Sequence, residues 1–411
     1  MSALAKIASE AGFAVTGSDL KTGGHKADNI SKDLDLVIYN SAITKGSPGE
    51  VELIRAKELG LKTVSRGEYL ARLVNKAKRS VVVSGMHGKT TITTLIGLVL
   101  KNNGNKPTVI PGTYVAEFGA NYLLGSKDLI VTEGCEYHDN FLHLRPKIAV
   151  ISNIEQEHLD YFGDLKTIIK SFAKFIENID PDGCLVYFAG DENIRAALRL
   201  ASKRPKTLVG YGQGGNVLYQ KLGYKLKYPG AHNKLNALAV EAVADYLEVS
   251  RNITKKSLQS YQGAGRRLEI KGEKKGILVI DDYGHHPTEI KNTILALKEA
   301  YPGRRLVTAF WPHQYKRIES LFSDFAEALS LADEVLLLPI YLVPGRDEER
   351  PVSSKQLADE IQKKGTRAKS FPDQSSMVKY LNDTMAANSL LLTVGIPPIN
   401  QVAEEFLEGE R

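Results

Sequence analysis

Residues 81–91 read Val-Val-Val-Ser-Gly-Met-His-Gly-Lys-Thr-Thr, an apolar run followed by glycines, a lysine and hydroxyls ahead of a helical pattern. That order of residue types suits phosphate chemistry. Glycines let backbone amides close on phosphate oxygens, and the N-terminus of the following helix adds partial positive charge. Gly85, His87 and Gly88 would form the cradle, with Thr91 on the first helical turn. Lys89 would reach the terminal phosphates and the Thr90 hydroxyl would hold magnesium. Only two residues separate Gly85 from Gly88, where the general phosphate-loop pattern has four. The competing reading is a Gly-rich strand–helix turn of any α/β protein; Gly-Lys-Thr-Thr in this context favours the phosphate loop.

Further polar groups follow apolar, strand-like runs. Glu133 comes straight after 129–132, and His158 ends Asn153-Ile154-Glu155-Gln156-Glu157-His158 after 148–152. In a parallel sheet both would lie at carboxyl ends of strands, on the rim that carries the phosphate loop. A carboxylate oxygen suits magnesium directly and a lone histidine less so. Asp139, Glu155 and Glu157 compete with this pair, and spacing does not choose among them. Asn233 and Asn236, three apart at the start of a helix, share a face and could read a base edge; capping and packing explain them equally well. Arg266 and Arg267 follow a glycine hinge, where they could clamp phosphate or simply be solvated. Asp281-Asp282-Tyr283-Gly284-His285-His286-Pro287 and Trp311-Pro312-His313-Gln314-Tyr315-Lys316-Arg317 each follow a strand-like run, the usual place for ligand-facing groups. Adjacent histidines without a nearby third ligand make a poor zinc site.

The elements that must position these residues are legible. Helical and strand-like patterns alternate at 3–11, 13–15, 34–39 and 51–59, the signature of a parallel sheet. After a basic linker at 75–79 the alternation restarts, with strands expected near 81–83, 129–132, 148–152 and 185–188. A Gly-rich patch at 210–215 leads into a hairpin-like stretch ending near 228, then a helix over 231–247. Beyond the break at 263–265, strands at 277–280, 305–310 and 334–338 alternate with helices. This predicts three α/β domains, at 1–78, 79–264 and 265–411.

Composition narrows the class. The 411 residues are 43% hydrophobic and 25% charged, ordinary globular usage. A net charge of +6 is spread along the chain, without the concentrated basic stripe of a nucleic-acid binder. No apolar run approaches a membrane span of roughly 18 residues, and no secretory signal opens the chain. Two cysteines, Cys135 and Cys184, cannot build a disulfide framework. A cytoplasmic protein without nucleic-acid or membrane partners is expected.

Taken in order, GMHGKTT, EGCEYHDNFL, NIEQEHLDYF, PGAHNKLNA, GAGRRLE, DDYGHHPTE and PHQYKR resemble the motifs of the Mur ligase family of peptidoglycan synthesis. Each is modest alone, and the ordered set is specific. DDYGHHPTE points to the branch that adds alanine. The resemblance implies a central P-loop ATPase-like parallel sheet, flanked by a truncated Rossmann-like N-terminal domain and a Rossmann-like C-terminal domain. It implies ATP and Mg2+ as cofactors, UDP-N-acetylmuramate and L-alanine as substrates, an acyl-phosphate intermediate, and a monomer or weak homodimer. Lys89 and Thr90 would then bind ATP phosphates and magnesium, with Glu133 and His158 completing the metal sites. Asn233 and Asn236 would face adenine, Asp282 the ribose and Arg267 the γ-phosphate. Tyr283, His285, His313 and Arg317 would line the muramate and amino-acid site, with His285 or His313 acting on the amine. The alternatives are a ligase for a recycled peptide or another amino acid, and a non-catalytic nucleotide-binding homologue.

The sequence departs from the family pattern in places. Met1-Ser2 falls in phase with the end of the family's first Gly-rich loop, which suggests that Met1 is an internal methionine. Asp19-Leu20 reaches Gly24-His25 almost at once, where the family carries a further helix and strand. A sheet short of two strands is expected to expose apolar edges. Gly395-Ile396-Pro397-Pro398 stands where the family has a more Gly-rich turn.

Overall fold

The computed structural model describes the whole chain except residues 21–22, 42, 344–346 and 410–411. Its contacts form two compact units, Met1–Lys225 with Lys234–Tyr261, and Leu226–Asn233 with Gln262–Arg411.

The first unit holds two sheets. Near the N-terminus, β1 (Val37–Tyr39) and β2 (Thr63–Ser65) form a two-stranded parallel pair. Helices Ser2–Glu10, Glu50–Glu58 and Arg66–Val74 accompany it. Ser65 starts the last of these in a reciprocal capping box with Glu68. The second sheet contains β3 (Arg79–Ser84), β4 (Pro107–Ile110), β5 (Ser126–Glu133), β6 (Ile148–Ile151), β7 (Cys184–Phe188) and β8 (Thr207–Tyr211). All six are parallel, in the order β4-β5-β3-β6-β7-β8. Val81, Val82 and Val83 are fully buried, which is why such strands read as unbroken apolar runs. Because β3 pairs with β5 and β6, strand order reverses around it. A crevice forms at such a switch point, at the carboxyl ends of the strands.

One core joins the two parts of this unit. Ala3, Leu4, Ile7, Leu70, Ala71 and Val74 belong to the same cluster as Phe141, Phe172 and Phe175. Phe141 stacks on Phe175 at 4.7 Å and meets Phe172 edge-on at 5.0 Å. Asn75, in the expected linker, donates to the His143 carbonyl at 3.1 Å and accepts from the Arg145 amide at 2.7 Å.

The second unit carries β9 (Glu269–Lys274), β10 (Ile277–Asp282), β11 (Arg305–Phe310), β12 (Glu334–Leu337), β13 (Arg367–Ser370) and β14 (Ser389–Val394). The order is β13-β12-β11-β14-β10-β9, with only β9 antiparallel. Leu278 and Ile280 feed one core cluster, while Ile277 and Val279 feed another. That is the two-residue alternation of a strand covered on both faces.

Two expectations fail. No strand forms at 13–15; Phe13 is 66% exposed and Val15 is also exposed. Among the described residues the apolar run has no neighbouring strand to pair with, since β1 and β2 are the two strands of the first sheet. The hairpin expected up to residue 228 is also absent. Between β8 and the helix Ala231–Tyr246 the chain makes turns and one short 3-10 segment, Val217–Tyr219. Tyr219 and Tyr224 donate to Asp245 at 2.9 Å and Glu241 at 2.8 Å, so this segment is anchored on the helix through hydroxyls.

Candidate active site

The phosphate loop leaves β3 at the switch point. Gly88 caps the helix Lys89–Asn102 at φ +83°, and Gly85 sits at φ +126°. Both conformations suit glycine. A Cβ on Gly88 would fall 2.6 Å from Asn236 Oδ1, and one on Gly85 would collide with Ser152 Oγ. The loop is braced from the end of β6: Asn153 Oδ1 accepts from the Met86 and His87 amides at 2.8 and 2.9 Å. Ser152 Oγ donates to the His87 carbonyl at 2.5 Å. These braces hold the short glycine spacing open.

Lys89 folds back into this loop. Its Nζ donates to the carbonyl of Gly85, to the Met86 carbonyl at 3.1 Å, and to Glu136 at 3.1 and 3.3 Å. Glu136, 2% exposed, also meets His158 Nε2 at 3.3 Å. Burial alone would raise the Glu136 carboxyl, but the charges and hydrogen bonds of Lys89 and His158 bring it down to about 2. Burial works against the Lys89 ammonium too, and Glu136 and Glu133 outweigh it, raising its pKa.

The expected magnesium groups have distinct settings. Thr90 and Thr91 are buried on the first helical turn. Glu133 ends β5 in register with Val83 of β3, and its carboxylate accepts from the Gly112 amide at 2.5 Å. His158 adopts a left-handed conformation at φ 53°, its ring 4.6 Å from Tyr137. Among the competitors, Asp139 is engaged by Tyr161 at 2.8 Å and by Ser171. Glu157 accepts from the His158 amide at 3.2 Å, and Glu155 lies 3.4 Å from His87 Nε2. Asn236 rests on the loop at Gly88, whereas Asn233 Nδ2 donates to the Pro229 carbonyl at 2.7 Å.

In the second unit, the carboxyl ends of β10 and β11 carry the remaining groups. Asp282, buried, accepts from the Gly284 amide at 2.8 Å, the Leu268 amide at 2.9 Å and Thr293 at 3.3 Å. Its carboxylate therefore shapes the turn that follows it. Burial raises its pKa, against the pull of Arg267 and these amides. Tyr283 lies between two guanidinium groups, Arg266 at 5.3 Å and Arg267 at 5.2 Å from its ring centre. Arg266 is held by Asp281 at 2.6 Å and the Gly395 carbonyl at 2.9 Å, a structural role. Arg267 is 3.7 Å from Glu289. His285 Nδ1 lies 3.2 Å from the Tyr283 carbonyl, and the His285 amide donates to Glu289 at 2.9 Å.

His313 is 5% exposed and stacks on Tyr341 at 4.7 Å. Its Nε2 has no hydrogen-bond partner among the described residues. Burial first, then the positive charges of His285 and Arg317, lower its pKa to about 4. It is thus a neutral imidazole at pH 7. Arg317 sits on the short helix Tyr315–Ser320, whose first amide donates to Asp347 at 2.7 Å.

Sequence reasoning missed Glu136, Asn153 and Tyr341. Glu136 lies three residues beyond Glu133 within the quoted EGCEYHDNFL segment, so a signal for it was present. Tyr341 reaches His313 only through the register of the chain after β12 and carries no local signal.

Comparison with known proteins gives a consistent picture. The family model for the Mur ligase family, catalytic domain, matches residues 1–78; the Mur ligase middle domain matches 83–244; and the Mur ligase, glutamate ligase domain, matches 266–396. The chain is 36% identical to the UDP-N-acetylmuramate–L-alanine ligase of Clostridium kluyveri, over 99% of this chain and 95% of that protein. It is 37% identical to that of Caldanaerobacter subterraneus subsp. tengcongensis, over 100% and 95%. The latter alignment runs over 448 positions against 411 residues here, so the relative carries internal segments that this chain lacks. The crystal structure of the UDP-N-acetylmuramate–alanine ligase of Thermotoga maritima superimposes with a TM-score of 0.77 at 28% identity, covering 94% of this chain and 87% of that one. A murein peptide ligase from Psychrobacter arcticus shares the fold, with a TM-score of 0.71 at 21% identity over 99% and 96%.

Proposed function

This chain belongs to the Mur ligase family, and from that premise we propose that it joins L-alanine to the carboxylate of UDP-N-acetylmuramate at the expense of ATP. The product enters peptidoglycan synthesis, and the enzyme works in the cytoplasm as a monomer or weak homodimer. Its likeness to alanine-adding ligases along nearly its whole length supports the substrates. The observation that carries the ATP half is Lys89 lying inside a glycine cradle braced by Asn153 and Ser152.

The residues present fit both absent groups. Gly85 and Gly88, both at positive φ, are pressed so closely by Ser152 and Asn236 that a Cβ would clash, so the loop keeps the bare backbone that a phosphate cradle requires. The donor set of the Thr90 hydroxyl, the Glu133 carboxylate and the His158 imidazole offers mainly hard oxygen, as magnesium requires. When bound, ATP supplies the phosphoryl group that activates the carboxylate as an acyl phosphate, and magnesium supplies charge neutralisation.

The chain's own residues do the rest. Gly85, His87, Gly88 and Thr91 frame the phosphates, and Lys89 turns from Glu136 to the transferring group. Thr90, Glu133 and His158 would hold the metal. Asn236, resting on Gly88, keeps the loop in shape from the side of the nucleotide, with Asn233 one turn before it. Asp282 sets the turn facing the ribose. Arg267, steadied by Tyr283, stabilises charge on the phosphoryl oxygens. Tyr283, His285 and Arg317 orient the muramate carboxylate. His313, neutral with Nε2 unpartnered among the described residues, accepts a hydrogen bond from the alanine amine and orients it for attack on the activated carbonyl, from which phosphate departs.

The test is phosphate release from ATP in the presence of magnesium, UDP-N-acetylmuramate and single amino acids. L-alanine should give the fastest turnover, and none should occur without the UDP-sugar. Faster turnover with a cell-wall tripeptide would assign the chain to peptide recycling. ATP binding without turnover on any acceptor would identify a non-catalytic homologue.

A further inference from the structure

Lys89 is the ammonium that a triphosphate needs, and it is already committed. It bonds to two carbonyls of its own loop and to both oxygens of Glu136. Glu136 cannot follow it into solvent, being 2% exposed and tied to His158 at 3.3 Å. When Lys89 turns towards a phosphate, a buried carboxylate remains opposite the incoming anion with His158 as its partner. Two like charges repel strongly where water is excluded. A divalent cation arriving with the nucleotide removes the conflict, because it supplies the positive charge that Lys89 has withdrawn.

Resting on the nucleotide reading of this loop, we propose that Glu136 is a positioning residue that makes nucleotide binding conditional on the divalent cation. It parks Lys89 between turnovers and penalises entry of a metal-free triphosphate, which would bind unproductively. Glu136 need not touch ATP or the reacting atoms for this. The geometry assigns it a different part from Glu133, which bonds the Gly112 amide and would hold the metal itself.

Calorimetric titration of the full chain with ATP, in magnesium and separately in EDTA, tests this without any turnover. The parent protein should bind ATP at least about tenfold more tightly with magnesium, the scale of one unit charge in a partly screened site. Glu136→Gln removes the charge and keeps the shape. It should gain about tenfold for metal-free ATP and lose most of the magnesium dependence. Glu136→Asp keeps the charge and should retain the dependence. If Glu136→Gln binds metal-free ATP no better than the parent, or if affinity falls equally in both buffers as a merely structural role predicts, the proposal is overturned. Should Glu136→Gln fail to fold, the parent and Glu136→Asp still decide, since a parent indifferent to magnesium refutes the inference. No ATP binding in either buffer would instead remove the nucleotide reading, and this inference with it.

Discussion

His313 takes its chemistry from its surroundings more than from its type. An exposed histidine is half-charged near pH 6.5. Burial beside His285 and Arg317 lowers His313 to about 4, which leaves an uncharged imidazole able to accept a hydrogen bond at neutral pH. The same shift links the residue to stability. The unfolded chain takes up this proton first as pH falls, because its pKa is the higher of the two. The His313 contribution is therefore complete above about pH 6.5 and is lost as pH drops towards 4, worth about 3 kcal/mol at most. His313→Gln should unfold with a shallower pH dependence between pH 6.5 and 4 than the parent. Denaturant titrations at several pH values measure this, and parallel slopes would mean that His313 titrates normally. The residue type was legible in PHQYKR. Its neutrality was not, since that depends on Tyr341 and His285 brought near by the fold.

At the scale of elements, the strand–loop–helix unit around Gly88 carries most of the nucleotide recognition proposed above. Its strand was legible because residues 81–83 are apolar on both faces, and its loop because the glycines and Lys89 are adjacent. The bracing was not legible: Ser152 and Asn153 follow β6, more than sixty residues on, and although Asn153 opens a quoted motif, nothing local shows that it reaches the loop. Gly88→Ala would place a Cβ at positive φ and 2.6 Å from Asn236 Oδ1. Backbone strain of about 1 kcal/mol or more adds to the displaced amide. We expect ADP affinity to fall at least about tenfold, with the far-ultraviolet spectrum unchanged; undiminished binding would show that the loop is not the phosphate seat. The two expectations that failed have different causes. The run at 13–15 has the apolar content of a strand but no strand beside it among the described residues, whereas the stretch expected to form a hairpin up to residue 228 is held through Tyr219 and Tyr224 on the helix Ala231–Tyr246.

At the scale of the molecule, the first 78 residues match a family domain and yet share their core with the following sheet. Ala3, Leu4, Ile7 and Leu70 are buried in that common cluster, while the β1–β2 pair offers too little sheet to stand alone. Phe13 and Leu20, each 66% exposed, lie outside any strand, in the stretch between the first helix and β1. Expressed by itself, 1–78 should lack a cooperative thermal transition, whereas 1–261 should unfold in a single one. Circular dichroism distinguishes the two, and a cooperative melt of the short fragment would show a core that is independent after all.

The amino-acid sequence by itself determined the alternation of helix and strand, the glycine loop that ends in Lys89, and the kinship carried by seven ordered motifs. All of these are written in local spacing, where neighbours along the chain are neighbours in space. Only the tertiary structure decided that Glu136 holds Lys89, that Asn153 braces the loop, and that His313 is neutral with a nitrogen to spare. Those outcomes depend on burial and on pairings between distant strands, and an ionisable group is defined by the charges and solvent around it as much as by its own chemistry.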